Sequence, residues 1–90
     1  MALTWPYKDP DEVLDYEIDW SARLVTDTIS TSTWTVPTGI TEESDSNTTK
    51  TTTVWLSGGT IGEGYEILNR IVTAGGRTFD QTVKIKIKEK

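Results

Sequence analysis

Cysteine and histidine are absent from this chain of 90 residues. Without cysteine there are no disulfides, no thiolate metal sites and no thiol nucleophile. Without histidine, zinc-type sites and proton relays lose their usual member. Basic residues are scarce: nine Lys and Arg stand against 14 Asp and Glu, for a formal net charge of −5 and a pI of about 4.5. That balance argues against a general nucleic-acid binder, because phosphate contacts need clustered Lys and Arg. No apolar run is long enough to cross a membrane as a helix. Met-Ala-Leu-Thr-Trp at the N-terminus has no basic region followed by an apolar segment, so no secretory signal peptide is expected. A helical period of useful length is also missing, and there are no internal repeats.

The chain does hold four Trp, three Tyr and one Phe. A domain this short buries only about 60–65% of the surface its unfolded form exposes, so these rings must supply much of a thin core. The length predicts one domain over residues 1–90. The clearest pattern runs from Thr53 to Lys88: strand, glycine-rich corner, strand, tight turn, strand. Gly75-Gly76 separates two alternating runs and predicts a two-residue hairpin turn, since glycine takes positive φ at little cost. In the first run Tyr65, Ile67, Asn69 and Ile71 share a face. In the second, Phe79, Gln81, Val83, Ile85 and Ile87 alternate with Asp80, Thr82, Lys84, Lys86 and Lys88.

Upstream, Leu14, Tyr16, Ile18 and Trp20 alternate with Asp15, Glu17, Asp19 and Ser21, which predicts a strand with one buried and one acidic face. Residues 1–12, with Pro6 and Pro10, read as an extended arm or edge strand, expected to be the least ordered part. Ser21 to Asp27 reads as a connection with Leu24 turned inward. Thr28 to Val36 reads as a strand with Trp34 and Val36 on one face. Ile40 to Ser46 suggests a short edge strand and Asp45-Ser46-Asn47 a turn. Thr48 to Leu56 is a strand in which Trp55 faces away from Val54 and Leu56. Gly64-Tyr65 opens a strand directly after a corner, where immunoglobulin-type sandwiches place a tyrosine whose hydroxyl bonds back to the corner.

The expected fold class is therefore all-β: an immunoglobulin-like antiparallel β-sandwich of about seven short strands, with a small barrel as the alternative. The expected inward residues are Leu14, Tyr16, Ile18, Trp20, Trp34, Val36, Val54, Leu56, Tyr65, Ile67, Ile71, Phe79, Val83 and Ile85.

Sites of chemistry are hard to find. Asp9, Asp11 and Glu12 lack the glycine and distal glutamate of a calcium loop, and Pro10 interrupts them. The corner Ser57 to Gly64 is glycine-rich, but no Lys-Ser/Thr and no helix follow, as a phosphate loop requires. Asn47-Thr48-Thr49 matches a glycosylation sequon by letter only, since secretion is not expected. Asp15, Glu17 and Asp19 have a spacing that could mimic an acid–base pair, but an open strand face offers no desolvation to separate their pKa values. No catalytic residue, metal site or cofactor is expected. Trp5, Tyr7 and Trp55 are candidates for exposed aromatics that meet a partner or a sugar. The charge layout says more. If the strands carrying Asp15, Glu17 and Asp19 and Lys84, Lys86 and Lys88 are neighbours, their charges pair across the sheet. If they lie in opposite sheets, the domain is a dipole whose copies could dock side to side in a ring.

The runs K-D-P-D-E-V-L-D-Y-E-I-D-W-S, D-T-I-S-T-S-T-W-T-V-P-T-G-I and T-V-W-L-S-G-G-T-I-G-E-G-Y-E-I-L-N-R-I-V-T-A-G-G-R-T-F-D resemble a family of small proteins from tailed bacteriophages and prophages. The resemblance spans Lys8 to Lys88; Thr41 to Lys50 adds nothing to it. It implies a virion structural protein with an immunoglobulin-like fold, of the fiber–tail adaptor type, and no catalytic residues. Asp9, Pro10, Trp20, Trp34, Pro37, Trp55, Gly59, Tyr65, Asn69 and Arg77 would be structural or interface positions. The implied partners are other virion proteins, with no nucleic acid, membrane or small-molecule substrate. The implied location is the virion, after synthesis in the bacterial host cytoplasm. The main rival reading is a carbohydrate- or host-surface-binding module; a third is an accessory domain of an enzyme.

Overall fold

Alternation and turn chemistry together build two layers. A computed structural model describes residues 3–89. Its elements are β1 (Leu3–Thr4), β2 (Leu14–Asp19), α1 (Ser21–Leu24), β3 (Ile29–Thr35), β4 (Ile40–Asn47), β5 (Thr51–Gly58), β6 (Gly64–Thr73) and β7 (Thr78–Lys86). One sheet has the order β1-β7-β6-β3 and the other β2-β5-β4. All pairings are antiparallel except that of β1 with β7. This is an immunoglobulin-like sandwich with Trp34 buried on β3 and Tyr65 at the start of β6. The Tyr65 hydroxyl accepts a hydrogen bond from the Thr60 amide at 3.1 Å, which is the backward bond to the corner that the sequence predicts.

Ten of the expected inward residues are buried: Tyr16, Ile18, Trp20, Trp34, Val54, Leu56, Ile67, Ile71, Val83 and Ile85. Leu14, Val36, Tyr65 and Phe79 pack against them and are partly buried. Leu24, Ile29, Ile40 and Ile87 complete the core. Burying each such side chain is worth about 1.5–3 kcal/mol. At the centre, the Asn69 side-chain oxygen accepts from Trp20 Nε1 at 3.1 Å and from Thr52 Oγ1 at 2.6 Å. The Asn69 amide nitrogen donates to Ser32 Oγ at 3.0 Å and to the Thr33 carbonyl at 3.1 Å. A fully satisfied buried amide thus ties β2 and β5 to β3 and β6.

Several turns differ from expectation. The hairpin after β6 has three loop residues, Ala74, Gly75 and Gly76, closed by the Thr73 amide donating to the Arg77 carbonyl at 2.8 Å. Only Gly76 has positive φ, at 85°. Gly75 serves closeness instead: a Cβ there would lie 2.8 Å from Asp27 Oδ2. The β4–β5 turn is not the Asp45-Ser46-Asn47 cluster, which belongs wholly to β4. It lies at Thr49-Lys50, where the Thr48 hydroxyl accepts from the Thr51 amide at 3.0 Å. β4 is an edge strand as expected, but at eight residues it is as long as β5. The connection after β2 contains a single helical turn that buries Leu24.

Candidate functional site

Thr4 to Tyr7 cannot continue a regular strand, because Pro6 has no amide proton to give. The arm instead runs beside β7. The Trp5 amide donates to the Lys84 carbonyl at 2.9 Å and the Lys8 amide to the Lys86 carbonyl at 3.1 Å. Lys8 is wholly buried, and its Nζ donates to the Gly58 and Asp9 carbonyls at 2.8 Å each. Trp5 turns inward, stacked on Tyr16 at 4.7 Å between ring centroids and 6.0 Å from Trp34. The expected free arm is thus fastened by backbone bonds, a buried lysine and an aromatic stack; its first two residues, Met1 and Ala2, lie outside the described residues.

Between this arm and the start of β6 a groove of about 470 Å³ opens along β7. Trp5, Pro6 and Tyr7 form one wall, Lys84, Ile85 and Lys86 the floor, and Gly64 leaves the far side open. A smaller hollow of about 270 Å³ continues it, sharing Tyr7 and Lys86 and adding Ile61, Ile87 and Lys88. The Lys88 ammonium sits over the Tyr7 ring at 5.1 Å. Tyr7 is 50% and Ile61 55% exposed. The groove is therefore apolar and aromatic with a cationic rim. Neither Lys84 nor Lys86 is held in an ion pair among the described residues.

Five of the sequence candidates, Trp5, Tyr7, Lys84, Lys86 and Lys88, meet at this groove. Trp5 differs from the expected exposed ring, since it is half-buried in the core. The others lie elsewhere. Asp15 stands directly opposite Trp55 across β2 and β5, and Glu17 opposite Thr53. These three residues form an acidic patch around a 41%-exposed tryptophan on the outer face of the other sheet. Exposed Val13 precedes that row. Asp19 belongs to the same row but also holds the first turn of α1: its Oδ1 accepts from the Ser21 amide and hydroxyl at 2.9 and 2.6 Å. Those bonds hold its carboxyl below the usual range. Arg77 sits on the β6–β7 hairpin beside Asp27, apart from both surfaces. Ile61 and Gly64 were not candidates, though an apolar residue flanked by glycines in a surface corner was a signal for Ile61.

The corner glycines cradle no anion. The Thr60 amide is taken by Tyr65, that of Gly62 by the Ile87 carbonyl and that of Glu63 by the Thr60 carbonyl. Among the described residues no group of three or more His, Cys, Asp or Glu is placed to hold a metal ion. One carboxyl is displaced in pKa without a cation nearby. Glu42, hydrogen-bonded to Asp45, partly buried and close to the Asp45 charge, is pushed up to about 7.

The family model of the podophage GP4 fiber-tail adaptor protein gp77 matches residues 8–86. The chain belongs to this family. No curated protein matches the chain. Membership makes the adaptor a phage structural protein, a virion component that binds other virion proteins. The matched span takes in β2 to β7, and with them the lysine-bearing strand of the groove and the acidic patch.

Proposed function

We propose that this adaptor is a non-catalytic connector that docks a virion component in the groove between its N-terminal arm and β7. The observation that carries this reading is the convergence of Tyr7, Ile61 and the edge of Trp5 with Lys84, Lys86 and Lys88 on one concave surface. Aromatic and apolar groups at the centre with charges at the rim are the usual anatomy of a specific protein contact. The lysines select an acidic partner surface and speed its approach. No carboxylate lines the groove, and Asp15 and Glu17 stand on an open sheet face, so neither surface supplies the acid and base that hydrolysis needs. The adaptor is made in the host cytoplasm without a signal peptide and works in the assembled particle.

Nothing favours the sugar-binding reading: Trp5 is stacked into the core, while Tyr7 and Trp55 lie on separate surfaces and form no common platform. The test is capture of components from dissociated particles by tagged adaptor, with Gly64→Glu as the control. A Cβ at Gly64 meets only the Ile85 carbonyl, at 4.0 Å, so the substitution fills the groove without straining the strand. Capture by the wild type and its loss in Gly64→Glu are expected. Equal capture by both would refute the groove as the docking surface.

A further inference from the structure

Building on that reading, we infer that the occupant of the groove is a second copy of this chain, presenting the acidic face around Trp55. The two surfaces are complementary in charge and in apolar content. The groove offers Lys84, Lys86 and Lys88 around Tyr7; the opposite sheet offers Asp15, Glu17 and Asp19 beside Trp55. Each charged row is an every-second-residue series on an extended backbone, so both have a pitch of about 6.6–6.8 Å and match when laid alongside. Like faces cannot meet, because lysine would face lysine and carboxylate would face carboxylate. A contact between unlike faces is heterologous and joins copies into a closed ring or an open filament.

Position agrees with charge. β7 and β2 lie in different sheets, so the surfaces are on opposite sides of a body 41 × 24 × 20 Å in extent and both can be engaged at once. Trp55 is 41% exposed with no aromatic neighbour to cover it, and tryptophan is enriched at the centres of contacts.

The experiment is sedimentation velocity on the full chain, first as wild type over rising concentration. Association is expected at low salt and its loss at about 1 M salt, where the Debye length falls to about 3 Å. The wild type needs no substitution, so this arm is immune to misfolding. Two charge-reversed chains follow, Lys84→Glu/Lys86→Glu and Asp15→Lys/Glu17→Lys. Each alone is expected to associate roughly 100-fold or more weakly, since it sets like charges together. Mixed in equal amounts they are expected to recover assembly, because each acidic surface again meets a basic one. A wild type that stays monomeric at low salt, or a mixture that associates no better than either variant alone, overturns the inference. If particle capture still depends on Gly64 but the captured component is a different protein, self-association falls while the docking groove stands. If nothing is captured through the groove, both fall.

Discussion

Asn69 and Tyr16 are both polar groups inside an apolar seam, and their surroundings give them opposite signs. All four hydrogen-bonding positions of the Asn69 amide are filled from β2, β3 and β5. Truncation to alanine leaves Trp20 Nε1 sharing a single weakened partner and frees the Thr52 hydroxyl in a dry core. Asn69→Ala is expected to cost about 2–4 kcal/mol in a urea melt, because each buried group left unpaired costs about 1–3 kcal/mol. Tyr16, by contrast, buries a hydroxyl that has no hydrogen-bond partner among the described residues, and burial, with Glu12 and Asp15 nearby, pushes its phenol up to about 12. Removing that oxygen keeps the stack with Trp5 and relieves the desolvation. Tyr16→Phe is expected to raise stability by about 1 kcal/mol in the same melt. A loss there would mean the hydroxyl has a partner that matters.

Elements were legible where a single period ran unbroken and obscure where it did not. β2 alternates without a fault, and Tyr16, Ile18 and Trp20 are buried as the pattern demands. β3 has a register shift between Ile29 and Thr31, so Ile29 and Trp34 both face inward although they stand out of phase in sequence. A bulge between Glu42 and Ser44 does the same to β4 and hides the length of that edge. Leu24 is buried by one turn of helix, too short to leave a period. Lys8 escaped notice because hydropathy does not anticipate a buried ammonium satisfied by carbonyls. The groove was legible only as separate residues, since it exists through the pairing of the arm with β7.

The β4 bulge also places Glu42 and Asp45 opposite Leu56 and Val54, on the same side of an exposed edge. Glu42 moves from an ordinary 4.5 to about 7, so the folded state holds the extra proton over that interval. Its contribution to stability is full below about pH 4.5 and is lost as pH rises through about 7. Asp45→Asn removes the repelling charge, and its gain in melting temperature over wild type is expected to be larger at about pH 8 than at about pH 5. An equal gain at both values would contradict the coupling.

At the scale of the whole molecule, the two sheets divide the labour. One carries lysines beside an aromatic groove, and the other carries carboxylates beside Trp55. A body of this kind connects through its faces and leaves β4 and β3 as free sheet edges for further contacts. The docking groove is tested most directly inside the particle. Phage lacking the native gene would be complemented with wild-type adaptor or with Lys84→Glu/Lys86→Glu, and adaptor occupancy counted in purified virions by quantitative mass spectrometry. The double variant is expected to fold with an unchanged melting curve and yet be missing from virions; its incorporation at the wild-type level would contradict the account.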